Sequence, residues 1–226
     1  CSGNQLTTID LSCCSKLTEL DCSGNQLTTI DLSSCSKLKH IDCSGNSLTS
    51  LDLSPCKALE SFSCSDNKVK ISSLDFNSCT ALTNLYLVGS KVSSLNLSSC
   101  TALAEFTPYY MELTSLNLNS CTALTELNCS WGNELTSLDL SSCTALTKLD
   151  CSQNELTSLD LSSCTKLEVL YCYDNMLTSL KLAPNTPIED IRFDENPSAF
   201  SLLNPYVYEL IMKQANSDEF GIVYKI

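Results

Sequence analysis

A 21-residue period limits the fold of this chain more than any other feature. The segments LTELDCSGNQLTTIDLSSCSK from Leu17 and LKHIDCSGNSLTSLDLSPCKA from Leu38 agree at nearly every apolar position. A period of that length marks a coil in which each unit is one turn and only neighbouring turns touch. The sixth position of successive units reads Cys1, Cys22, Cys43, Cys64, Leu87, Pro108, Cys129, Cys151, Cys172 and Phe193, with extra residues only between 64 and 87 and between 129 and 151.

Each unit divides into two halves, LxxLxCxxNx and LxxLxLxxCxx, with apolar residues at the first, fourth and sixth positions of both. Positions four and six point one way and three, five and seven the other, which is strand periodicity over three to five residues. One coil cannot bury its own leucines, so the coils must stack, strand above strand, at roughly 4.8 Å. Ten coils then make a rod about 45 to 50 Å long. Asn4, Asn25, Asn46, Asn67, Asn154, Asn175 and Asn196 recur at position nine. There the chain leaves the sheet, and a side-chain amide can satisfy backbone groups that would otherwise lack partners.

The half-unit resembles the leucine-rich repeat, LxxLxLxxN/CxL, and more narrowly the nested 21-residue bacterial class called IRREKO. The resemblance spans residues 1 to about 196 and implies a mainly β fold: a solenoid of about ten coils with two short parallel strands per coil. The departure is cysteine at position six of the first half, where the family has leucine. After Asn196 the period stops. NPYVYELIMKQAN offers Asn204 as a helix cap, Pro205 in the first turn and an apolar face of Val207, Leu210 and Ile211, and FGIVYKI reads as a strand. Residues 197–226 are therefore expected to form a small α/β cap. The chain opens in mid-repeat without a polar cap, so Cys1 is expected to be a cut edge of a longer protein.

Of the 16 cysteines, only Cys13 lies outside two repeat positions. At position six, cysteine exchanges with Leu87 and Phe193, so any apolar filler suffices. At the end of the second half, Cys14, Cys35, Cys56, Cys79, Cys100, Cys121, Cys143 and Cys164 form a column that ends at Asn185. Both patterns fit buried thiols acting as small hydrophobes. Disulfides between stacked coils are the alternative, although parallel side chains in register suit the required dihedral poorly. Zinc fits worse, since there is no CxxC and one histidine. Regular free thiols suit a reducing setting. Cys1 could also be the acylated first residue of a lipoprotein, but its place in the repeat explains it without lipid.

Thirteen basic against 26 acidic residues, a formal charge of −13, disfavour nucleic acid and anionic membrane as partners. No apolar run reaches the roughly 18 residues of a membrane span. P-loop, GxGxxG, HExxH and GxSxG motifs are missing. His40, the single histidine, projects from the first sheet beside Asp42 without an oxyanion loop. No catalytic residue, metal site or cofactor is expected. The column Asp10, Asp31, Asp52, Asp75, Asn96, Asn117, Asp139 and Asp160 reads as a solubilising face, with calcium as the alternative.

A binding site should lie where the consensus is abandoned. In LTNLYLVGSKV and LAEFTPYYMEL the cysteine becomes Leu87 and Pro108, the turn asparagine becomes Ser90 and Met111, and aromatics enter. LTELNCSWGNEL then inserts one residue beside Trp131. Stacking in register would set Val88 beside Tyr109 and Tyr110 beside Trp131, with Tyr86 just across, as one aromatic patch. Val169, Tyr171 and Tyr173 make a second patch. Such side chains suit recognition hot spots and sugar stacking alike. Cross-strand packing in a decayed repeat would also account for them.

These residues and the resemblance together imply a non-catalytic recognition or adhesion module. Its setting would be a bacterial surface or secreted protein, extracellular or on the cell surface, with a host or neighbouring-cell protein as partner. A carbohydrate-binding surface and a passive spacer are the alternatives.

Overall fold

The computed structural model describes residues 1–67, 71, 74–90 and 92–197. The helix and strand expected from Asn204 onward lie outside the described residues. First-half strands are β1 (Glu19–Asp21), β2 (His40–Asp42), β3 (Ser61–Ser63), β4 (Asn84–Tyr86), β6 (Glu105–Phe106), β8 (Glu126–Asn128), β9 (Lys148–Asp150), β11 (Val169–Tyr171) and β13 (Asp190–Arg192). They form one parallel sheet in chain order. The second halves contribute β5 (Ser94–Asn96) paired with β7 (Ser115–Asn117), and β10 (Ser158–Leu161) paired with β12 (Ser179–Leu182). Cys1 and Gly3 continue the stack beyond β1, donating their amino groups to Asp21 O at 3.0 Å and Ser23 O at 2.8 Å.

The register sets inward residues opposite one another: Leu20 lies opposite Ile41, Ile41 opposite Phe62 and Phe62 opposite Leu85. Columns in the sequence are therefore columns in space. The central residue of each strand is buried and its neighbours face outward, which lets three residues serve both a core and a wet face. The inward side chains merge into one cluster running from Leu11 to Ile191. Across it Phe62, from a first half, meets Phe76, from a second half, edge to face with ring centroids 5.6 Å apart.

The asparagine column stitches the coils. Asn154 Oδ1 accepts from Leu135 N in the preceding coil at 3.0 Å. Its Nδ2 donates to Cys129 O of that coil and to Cys151 O and Ser152 O of its own. Asn25, Asn46, Asn133, Asn175 and Asn196 repeat the arrangement. At Ser90 and Met111 the stitch is lost: Ser90 Oγ donates to Leu87 O inside its own coil, and Met111 is buried as an apolar plug. Just before each asparagine the backbone is left-handed. Gly3, Gly24, Gly45 and Gly132 occupy that position, but Asp66, Gln153, Asp174 and Glu195 adopt positive φ there as well, as do Gly89 before Ser90, Tyr110 before Met111 and Trp131 two residues before Asn133. Each such non-glycine residue costs roughly 1–2 kcal/mol, a strain that the surrounding inter-coil bonds hold in place.

The second halves pair less continuously than the first. Outside the two short sheets, one isolated bridge, Leu51 to Leu74, joins its coils among the described residues. Local turns follow the strand position in every second half, paired or not. Asp31 Oδ1 accepts from Ser33 N, Cys35 N donates to Leu32 O, and Leu38 N donates to Cys35 O, so these donors are spent on two consecutive turns. Asp10, Asp52, Asp75, Asn96, Asn117, Asp139 and Asp160 make the same bond to the residue two further on. The carboxylate column is thus a row of turn-forming acceptors rather than only a solubilising face. Those bonds from the following serine hold Asp10, Asp31, Asp52 and Asp139 below the ordinary carboxylate range, and Asp160, which also meets Lys181, falls to about 2.

The thiols behave as the exchange pattern implies. All sixteen are free, and apart from Cys1, Cys13 and the half-buried Cys14 they are buried. The two columns donate in opposite directions: Cys22 and Cys43 Sγ reach forward to Asp42 O and Ser63 O at 3.5 and 3.3 Å, while Cys121 Sγ reaches back to Leu97 O at 3.2 Å. Burial raises Cys56, Cys100, Cys129, Cys143 and Cys172 to about 12.

Three outcomes follow from this packing. Asn154→Ala leaves two N–H or carbonyl groups of the preceding coil without their partner, so chemical denaturation should show a loss of about 2–4 kcal/mol. With thiols raised from about 9 when unfolded, folding is favoured while they stay protonated. Stability should therefore be intact below pH ~9 and fall as pH rises toward ~12. Thiol titration should find Cys1 and Cys13 fast in the native protein and all sixteen after denaturation.

Candidate functional site

The outward face of the nine-stranded sheet carries the third, fifth and seventh residues of each first half. Tyr86 ends β4 with its ring exposed, in register with Ser63 on the next rung and, through it, with Asp42. Val88 follows two residues later and is half-buried. Around the turn lie Tyr110 and Trp131, which with Tyr86 are 61%, 49% and 53% exposed. Large apolar surfaces left this open are unusual in a core built so tightly.

Backbone bonds place these residues on successive rungs. Gly89 N donates to Tyr109 O at 3.1 Å, and Tyr110 N donates to Trp131 O at 3.0 Å. The extra residue beside Trp131 is Gly132, also left-handed. A methyl group there would stand 3.0 Å from Tyr110 Cα and Cδ1, so the glycine is what lets the Tyr110 ring lie against the next coil. Tyr109 is half-buried and leans across a rung, accepting from Asn128 Nδ2 at 2.9 Å. Pro108 is buried and, having no N–H, cannot make the bond that Cys129 N makes to Asp150 O. Correspondingly β6 stops at Phe106.

The second group is built differently. Tyr171 Oη donates to Asp190 Oδ2, and the Arg192 guanidinium stands 5.2 Å over the Tyr171 ring. The bond to Asp190 pushes the Tyr171 hydroxyl up to about 12, with burial adding to it. Val169 and Tyr173 beside it are half-buried. This tyrosine is already occupied by the protein's own charges, unlike Tyr86.

Next to Tyr86 the sheet has a shallow hollow of about 310 Å³, bounded by Glu19, Asp21, His40, Asp42, Ser61 and Ser63. Glu19, Asp21, Ser61 and Ser63 carry no aromatic or consensus-breaking signal, although their outward strand positions are readable from the period. His40 sits here in register with Glu19 and Ser61. Asp21 and Asp42 each hold the N–H of the serine two residues on through Oδ1. Among the described residues no group of three or more His, Cys, Asp or Glu side chains could hold a metal ion.

Comparison with known proteins agrees with this architecture. Over 85% of its length the chain is similar to the functional domain of InlJ from Listeria monocytogenes, a structure that includes a cysteine ladder, with 36% identity and a TM-score of 0.73. It covers 42% of that chain, so it spans less than half of that relative's length. A leucine-rich repeat protein of Leptospira interrogans shares 20% identity over 93% of this chain and 68% of its own, with a TM-score of 0.59. YopM from Yersinia enterocolitica shares 24% over 80% of this chain and 42% of its own, at 0.60. These two speak for the fold alone. No curated protein matches in sequence. The family pattern described as leucine-rich repeats, two copies, matches residues 15–55, 122–163 and 144–198. With its 21-residue coils, its asparagine seam and this match, the chain belongs to the leucine-rich repeat family.

Proposed function

We propose that this protein is a non-catalytic recognition module of a bacterial surface or secreted protein. It captures a protein of a host or neighbouring cell through the patch of Tyr86, Val88, Tyr109, Tyr110 and Trp131. One observation carries the reading: the two coils that give up the asparagine stitch, at Ser90 and Met111, expose Tyr86 and Tyr110, and the coil stacked on them, which keeps the stitch at Asn133, exposes Trp131. A repeat under selection for stacking alone would keep the stitch and cover the rings. Tyrosine and tryptophan bring wide contact area with a polar tip and little side-chain entropy to lose, which suits an anchor of binding. Val169, Tyr171 and Tyr173 extend the face as a secondary contact.

Charge and chemistry narrow the class further. A formal charge of −13 opposes nucleic acid and anionic membrane. Among the described residues no helix is long and apolar enough to cross a membrane. The lone histidine lies on an open sheet rather than in an enclosed, water-excluding site, which argues against an enzyme and against a cofactor. A glycan partner is favoured by one observation: Tyr110 and Trp131 stand on adjacent rungs with about half of each ring open, the geometry of a stacking platform.

The triple variant Tyr86→Ser, Tyr110→Ser and Trp131→Ser should abolish capture of the partner from surface extracts of candidate host cells. Its unfolding free energy should move by no more than about 0.5 kcal/mol per site, because the removed rings are largely solvated. Equal loss of binding and stability would assign the rings to packing. A positive glycan array with no captured protein would favour the carbohydrate reading.

A further inference from the structure

The two tyrosines at the fifth position of the first sheet are in opposite states, and the contrast indicates what Tyr86 binds. Tyr171 has a guanidinium over its ring and a carboxylate at its hydroxyl, both supplied by the next coil through Arg192 and Asp190. Tyr86 has neither. Outward positions of β1 to β4 read Glu19, Asp21, His40, Asp42, Ser61, Ser63, Asn84 and Tyr86, with no lysine or arginine. Lys39, which flanks β2, is committed to Glu60 at 2.7 Å. The sheet face between β1 and β4 thus presents three carboxylates and an exposed ring around one hollow, with no cation of its own on those strands.

We infer that this face docks a basic, extended segment of a partner protein, running along the rod axis with one arginine or lysine over the Tyr86 ring and another between Asp21 and Asp42. This rests on the protein-recognition reading above and supplies the chemistry of the partner. Charge complementarity selects the occupant. A cation over an aromatic face beside carboxylates is stabilised by both, as Arg192 is over Tyr171. The dimensions also agree. The midpoint of Asp21 and Asp42 lies two and a half rungs, about 12 Å, from Tyr86, and side chains four residues apart on the same face of an extended chain are separated by about 13 Å. An acidic segment would meet like charge, and a neutral one would leave the carboxylates desolvated without a partner.

The protein itself supplies conservative variants. Asn128 Oδ1 holds Ser130 N and Oγ as Asp21 Oδ1 holds Ser23 N and Oγ, so Asp21→Asn and Asp42→Asn keep the turn while removing charge. Asn96 and Asn117 license Asp31→Asn and Asp52→Asn on the second face in the same way. That second pair removes equal net charge away from the hollow.

Calorimetry with end-capped peptides of roughly eight residues, alternating serine with arginine, glutamine or glutamate, tests the inference. The arginine peptide should bind, weaken about tenfold or more in the Asp21→Asn, Asp42→Asn double variant and in Tyr86→Ser, and weaken with salt from about 20 to 500 mM. It should be nearly unaffected by Asp31→Asn with Asp52→Asn. Failure of the arginine peptide to bind, equal binding of the glutamine or glutamate peptide, or an equal effect of the second-face pair would overturn the inference. If protein capture still depends on Tyr86 and Trp131 in that case, the recognition reading survives without its basic partner. An oligosaccharide that binds equally well in the Asp21→Asn, Asp42→Asn protein would likewise count against a basic segment.

Discussion

Every coil of this protein depends on its neighbours for a dry surface. Twenty-one residues cannot enclose their own leucines, so burial, hydrogen bonding and register are all satisfied between coils rather than within them. The asparagine seam expresses this dependence most directly. Each amide accepts from one N–H of the preceding coil and donates to carbonyls of both, closing backbone groups that the turn would otherwise leave unpaired. Threonines on both sheets add a parallel seam, with Thr83, Thr125 and Thr178 hydroxyls donating to carbonyls one coil back. Stability is then a sum over interfaces, and any coil that relaxes its seam weakens the rod at that point.

The relaxation at Ser90, Pro108 and Met111 is informative for that reason. Each removes an inter-coil donor or acceptor, and together they fall where Tyr86, Tyr110 and Trp131 open to solvent. Gly132 completes the arrangement by letting Tyr110 pack against the following coil. The strained left-handed backbone at Tyr110 and Trp131 sets both rings on the edge where the chain leaves the sheet. Tyr171, held by Asp190 and Arg192, shows the other fate of an aromatic on this face, in which the coil itself fills what the ring offers.

The cysteine columns solve a packing problem without chemistry. Two thiol positions per coil must be narrow enough for tight turns yet able to meet a carbonyl of the adjacent coil, and cysteine does both as a small hydrophobe with a weak donor. Burial holds these thiols protonated, which removes the nucleophilic thiolate on which disulfide exchange or metal capture depends. Only at the first coil, at Cys1 and partly at Cys14, do the columns reach solvent, and Cys13, outside both columns, is exposed there as well.

The period, the inward columns, the asparagine seam, the wet faces and the aromatic interruption could all be read from residue spacing, because a solenoid repeats one local environment and spacing alone assigns each residue to it. Spacing did not say how N–H groups would be shared. The second halves carry the same leucine pattern as the first, yet fewer of them pair as strands, and up to Cys164 each closes with the same turns at Asp or Asn and at Cys. Nor could it separate Tyr86 from Tyr171. Which ring stays open depends on the residue one coil away, Arg192 in one case and Thr107 in the other. The linear order thus determined which columns exist, and only the stacked structure decided which members of a column are already satisfied, because satisfaction is a property of two coils and never of one.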